Sequence, residues 1–258
     1  MIKRGAVFVA MAAISLIGTP AIASPPGNIH GWRQVSHTTV SAAVGNEGVT
    51  TVRRRDGQPF LQYRGAETIP QVLKDQGWGH VGDPDSARGY VFDAYQNTQD
   101  VPAPNKMFLV TTPAGQTFTY VHPLLPEEPA ANANSEVAVS PDGQWMVAGA
   151  LGELPALFVF PTPFLNPRVR PGPLPLVAHV LLDHPVRNVQ GCDFVTATKL
   201  LCGTSDPNND LYPTNFQLLQ ITLDHPLRGT DTRAHVTSLG QVPLVSTCAG
   251  SFVTEGVD

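Results

Sequence analysis

The chain has 258 residues, with 16 Lys and Arg against 21 Asp and Glu, a formal net charge of −5, and only 14% charged residues. That mildly acidic balance excludes a surface built to grip nucleic acid or anionic lipid. Its 25 prolines and 23 glycines exclude long helices, because an interior proline removes a hydrogen bond and clashes with the preceding turn. What remains is an all-β reading.

The chain opens with a basic head, Met1-Ile2-Lys3-Arg4, and an apolar run from Gly5 to Gly18 broken only by Ser15. Ala21-Ile22-Ala23 follows as a small-x-small cleavage signature. Residues 1–23 therefore read as a secretory signal peptide, cut before Ser24. The run is too short to span a bilayer, which takes about 20 apolar residues. No cysteine at the cut suggests a lipid anchor, and no second long apolar run suggests a membrane span. Loss of Lys3 and Arg4 takes the net charge from −5 to −7. Residues 24–258 suffice for one core.

Residues 32–64 alternate as strands: Thr50-Thr51-Val52-Arg53, a turn at Asp56-Gly57, then Phe60-Leu61-Gln62-Tyr63. Arg53-Arg54-Arg55 beside that turn reads as a solvated strand end. Ala66 to Gln76 is the one passable helical segment, and Pro70 interrupts it. Residues 77–123 hold four strands, near His80–Asp83, Gly89–Ala94, Lys106–Thr112 and Gln116–His122. Pro113-Ala114-Gly115 forms the last hairpin turn.

Residues 134–183 carry the sharpest local motif. Glu136 to Val139 alternates, Ser140-Pro141-Asp142-Gly143 turns, and Trp145 to Ala148 returns. Pro141 presets the first turn position and Gly143 takes the left-handed one. Six prolines between Pro161 and Pro175 make an extended connection, read as a stiff surface crossover rather than a polyproline docking arm. Residues 189–240 form a further strand unit. Leu182-Asp183-His184-Pro185-Val186-Arg187 recurs as Leu223-Asp224-His225-Pro226-Leu227-Arg228. Both copies read as turn chemistry in which the Arg can pair with the Asp.

These units repeat at an offset of 55. Gly89-Tyr90-Val91-Phe92 falls on Gln144-Trp145-Met146-Val147 and on Lys199-Leu200-Leu201-Cys202. Repetition at such a period with short apolar strands predicts a β-propeller of four-stranded blades. The blades fall near 77–123, 134–183 and 189–240, with partial ones at 32–64 and 250–258. The Ser-Pro-Asp-Gly hairpin resembles the blades of secreted bacterial propellers of the TolB-like and WD-repeat kind. The resemblance implies a fold and nothing about activity. Glu255-Gly256-Val257-Asp258 looks like the opening strand of another blade. This favours a truncated piece of a larger ring; the alternative is a small ring closed against the strands of 32–63.

Of three cysteines, Cys192 and Cys202 sit equidistant from a hairpin turn near Ala197, which predicts a disulfide between them in an oxidising compartment. Pairing of either with Cys248 is the alternative. His80-Val81-Gly82-Asp83-Pro84-Asp85 is the most suggestive polar cluster. On an inner strand, His80, Asp83 and Asp85 would face the central channel. Glu136, Gln190 and Glu255 hold comparable positions in later units. Such a ring of acids and amides could take a divalent cation such as calcium, or a sugar. The plain reading is that Asp83 and Asp85 cap a tight turn. Asp206-Pro207-Asn208-Asn209-Asp210 begins like a calcium loop, but Leu211 and Gln217 replace its required Gly and Glu. Gly-x-Ser-x-Gly, His-Glu-x-x-His and a phosphate-binding glycine loop are absent. Two functions follow: a non-catalytic secreted module binding a small molecule, saccharide or protein, or a metal-dependent hydrolase or lyase with an axial cation.

Overall fold

A computed structural model describes residues 36, 38–53, 57–99, 105–126, 128, 136–241 and 256–258. The expected signal peptide, Cys248 and Glu255 lie outside the described residues.

After a one-turn helix, α1 (Ala42–Gly45), strand β1 (Gly48–Arg53) pairs antiparallel with β2 (Pro59–Arg64). Gly57 in their link has φ +81, a conformation that residues with a Cβ rarely adopt. The predicted helical segment is split as expected. A 3-10 turn, Ala66–Thr68, is separated by Pro70 from α2 (Gln71–Lys74).

The second sheet has five strands. β3 (His80–Val81) and β4 (Asp85–Ala87) both pair with β5 (Tyr90–Gln96), which continues to β6 (Asn105–Thr111) and β7 (Thr117–Pro123). Both faces of β5 and β6 are covered. Phe92, Ala94, Phe108 and Val110 point into the main core, while Tyr95, Met107 and Leu109 pack with Ile69, Leu73 and Trp78 in a second one. A strand buried on both sides loses the polar alternation of a half-solvated strand, hence the unbroken run Met107-Phe108-Leu109-Val110.

The third sheet has eight strands. β8 (Ala138–Val139), β9 (Trp145–Ala148), β10 (Glu153–Pro161) and β11 (Ala178–Arg187) run antiparallel in sequence. So do β12 (Val189–Thr196), β13 (Lys199–Ser205), β14 (Phe216–Leu223) and β15 (Thr232–Gln241). The two runs join where β11 pairs in parallel with β15, Val180 opposite Thr232 and Leu182 opposite Ala234. The end strands β8 and β12 touch, so the sheet nearly closes into a barrel. The sequence pattern does not announce that parallel joint.

The Ser-Pro-Asp-Gly turn forms as read. The Gly143 amide donates to the Ser140 carbonyl at 2.7 Å, and Gly143 has φ +73. The Ser140 hydroxyl donates to Asp142 at 2.6 Å and accepts from the Trp145 amide at 3.0 Å. Each short side chain satisfies a backbone group that the tight turn leaves open. Cys192 and Cys202 stand directly opposite in the β12–β13 register and are bonded, with S–S 2.03 Å.

Candidate functional site

Four segments far apart in sequence converge on one residue, Asp83. Its carboxylate accepts the Val49 amide at 3.1 Å, from β1, and the Val257 amide at 3.2 Å. Its backbone forms an isolated parallel bridge with Glu136, and its carbonyl accepts the Val137 amide at 3.1 Å. Gly191 of β12 closes the circle: a Cβ there would collide with the Asp83 carboxylate and with the Gly256 backbone. A Cβ on Gly48 would strike Asp83 as well. Small residues sit here because the backbones meet around a buried side chain.

Asp83 and Glu136 are fully buried, and Asp85 nearly so. Burial holds Asp83 well above the ordinary carboxylate range. The two amides pull it down, but the charges of Glu136 and Asp85 push it up again. Asp85 is pushed to about 8 by burial, against the Val139 and Ser86 amides and with help from Asp193 and Asp258. Val139 donates to it at 2.5 Å. Glu136 is raised by burial and then by Asp85, against the Gly149 amide and the charge of Lys106. Asp193 is raised by burial and by Asp258. Crowded, desolvated carboxyls favour the neutral form.

Asp83, Asp85 and Glu136 are thus brought together, as the sequence suggested. His80 is not with them: its ring lies 3.1 Å from the Glu47 carboxylate on the far end of β3. Gln190 is half-buried on β12, and none of the described contacts joins it to the cluster. Asp193 and Asp258 belong to the cluster but sequence reasoning missed them. Asp193 falls on Asp83 at twice the 55-residue offset, a signal that could have found it, and Asp258 acts by accepting the Thr50 and Thr51 hydroxyls of a distant strand. Among the described residues, no three His, Cys, Asp or Glu side chains are arranged to hold a metal ion. The physical reason at this cluster is that Asp83 and Asp85 spend their oxygens on backbone amides.

Two openings border the cluster. A recess of about 240 Å³ is lined by Asp85, Arg88, Val139, Pro141, Asp193 and Phe194. A groove of about 720 Å³ lies between the β1–β2 hairpin and the five-stranded sheet, with Thr51, Arg53, Phe60, Gln62, Arg88 and Thr111 on its walls.

A second buried polar centre had no signal in the sequence. Lys106 is fully buried, 2.9 Å from the Glu128 carboxylate and 4.3 Å above the Phe158 ring. The other Glu128 oxygen lies 2.6 Å from His122 Nε2, and His122 Nδ1 lies 2.8 Å from the Leu174 carbonyl. Burial alone would raise Glu128. His122, Lys106 and the Leu125 amide outweigh it and hold the carboxyl at about 2. Lys106 is lowered by burial against the pull of Glu128.

The calcium-loop candidate is occupied by an arginine. Arg187 binds Asp206, Asp210 and Glu153 together, and Asp206 also accepts the Leu211 and Tyr212 amides at 2.9 Å. Arg187 therefore does not pair with Asp183 as its local motif suggested; Asp183 instead binds His235 and the Val236 amide. No helix among the described residues is long and apolar enough to cross a membrane.

No family model matches the chain, and no curated protein matches it. Among solved structures, the chain is similar to one in the complex of KlAtg21 with coiled-coil of AgAtg16, at 15% identity and a TM-score of 0.39. The likeness covers 76% of this chain and 71% of that one. A likeness of that size decides neither fold nor function.

Proposed function

We propose that this chain is an exported, non-catalytic binding module built as a β-propeller, in which the Asp83 cluster is a structural plug at the axis. Three consecutive antiparallel runs support the propeller reading, since their second strands begin at Tyr90, Trp145 and Lys199. The leading segments of those runs meet at Asp83, as inner strands meet around an axis. The basic head, the apolar run and the disulfide support export.

One observation carries the binding reading. The Asp83 carboxylate is enclosed by the Val49 and Val257 amides and by glycines that leave no room around it. A filled axis directs ligands to the outer surface and the grooves. The metal-dependent hydrolase or lyase reading keeps one point in its favour: Asp85, held at about 8, borders the 240 Å³ recess beside Asp193. A carboxyl titrating there suits proton transfer near neutrality.

Calorimetry with calcium, zinc and manganese separates the two. The plug predicts no cation-dependent rise in melting temperature. Stoichiometric binding of one cation that is lost in Asp83→Asn would return the cluster to the metal-site reading, since a ligand specific for the folded state stabilises it.

A further inference from the structure

The connection between β10 and β11 carries a residue in the wrong conformation for its type. Thr162-Pro163-Phe164-Leu165 is a tight turn in which the Thr162 carbonyl accepts the Leu165 amide at 3.3 Å and the Asn166 amide at 2.8 Å. Phe164 has φ +65. After a proline, that turn position calls for Gly or Asn, and a bulky residue with positive φ is an outlier. Strain of this kind persists where something else is gained.

What it places is an aromatic ring in solvent. Phe164 is 44% exposed and Phe118, on β7, is 41% exposed. Phe164 stacks on Tyr90 at 5.4 Å, and Phe118 meets its edge at 5.0 Å. Tyr120 meets it at 6.1 Å. Tyr90 props the platform from beneath. Phe118, Tyr120 and Phe164 line a groove of about 750 Å³ with Thr117, Thr119 and Arg170. Among the described residues Arg170 is the one charged side chain that lines it, although the chain as a whole carries a net charge of −5. The Arg170 guanidinium reaches the Pro167 and Val169 carbonyls through one nitrogen, which leaves its other donors without a partner among the described residues.

We propose that this groove binds an oligosaccharide bearing carboxylates, a uronic-acid chain. Flat aromatic faces suit the apolar faces of pyranose rings, threonine hydroxyls suit sugar hydroxyls, and a guanidinium matches a carboxylate fork. The local excess of positive charge in an acidic chain selects an anionic ligand over a neutral one. The proposal rests on the binding-module reading but not on the state of the axis.

Calorimetric titration of the whole chain with tetragalacturonate tests it, with cellotetraose as the neutral control and a decaproline peptide as the alternative occupant. Saturable binding of the uronate is expected, weaker for cellotetraose. Phe164→Gly fits the turn, so its melting temperature should hold while affinity falls by about tenfold or more, as for an aromatic anchor. Arg170→Gln should erase the preference for the uronate over the neutral sugar. No uronate binding, or binding unchanged in Phe164→Gly, overturns the proposal. Decaproline binding that Phe164→Gly abolishes, without uronate binding, overturns it in favour of a protein partner. The cation titration of Asp83 reads a different place, so either reading can fail alone.

Discussion

Glu136 and Glu128 are both buried, Glu136 the more deeply, and the molecule treats them in opposite ways. Glu136 sits beside Asp85, and burial and that neighbour outweigh the pull of Lys106 and drive it towards its neutral form. Glu128 sits between Lys106 and His122 and is held ionised down to about 2. Burial raises both; the partners decide the outcome. Charge at these two sites is thus set by burial together with the groups packed around each residue. The Asp83 region is held by carboxyls of raised proton affinity that accept backbone amides, and the Lys106 region by an ion pair.

The largest expected effect breaks the ionic side. Glu128→Gln leaves Lys106 without its counter-charge, and removing one partner of a buried pair costs about 3–5 kcal/mol. Urea denaturation would measure it. A loss below about 1 kcal/mol would mean the pair is not desolvated as described. A smaller effect is expected on the neutral side. Gly191→Ala drives a methyl group into the Asp83 carboxylate and the Gly256 backbone, and overpacking of this kind costs about 1–3 kcal/mol. An unchanged urea midpoint would dissolve the picture of a closed plug.

The pH dependence sharpens the contrast with the gentlest perturbation. Asp85 has its proton removed near its ordinary 3.8 when unfolded, but only near 8 when folded. Between those values the folded state binds more protons, so its contribution to stability is full below about 4 and is lost as pH rises to about 8. Glu128 behaves inversely. Its contribution is full above its ordinary 4.5 and is lost as pH falls towards about 2. Urea midpoints between pH 4 and 8 should therefore decline in the wild type. Asp85→Asn should make that decline shallower, with Asp83, Glu136 and Asp193 supplying the remainder, and an equally steep decline in the variant would place the titration elsewhere.

Much of the strand pattern was legible because it is local. The Ser140–Gly143 turn, the Pro70 break and the Cys192–Cys202 pairing each depend on residues a few positions apart. Asp83 and Glu136 could be singled out because both lie on the leading segments of repeated units. The parallel joint of β11 with β15 was illegible, because register between remote strands follows from packing rather than from composition. Lys106 at the head of an apolar strand reads as a solvated end, and nothing ties it to Glu128 in a loop 22 residues on. His80 was read into the same polar cluster, and the structure places its ring beside the Glu47 carboxylate.

The two amides that meet on Asp83 come from 34 residues upstream and 174 residues downstream. Any partly assembled chain that lacks either one leaves this carboxylate wet and ionised. Bringing the strands together strips its water and raises its affinity for a proton. Asp85 beside it, pushed to about 8, takes up a proton near neutral pH as the strands close, so the heat released on folding depends on the buffer that surrenders that proton. Assembly of the axis carries its own thermochemical signature, distinct from the burial of apolar side chains around it.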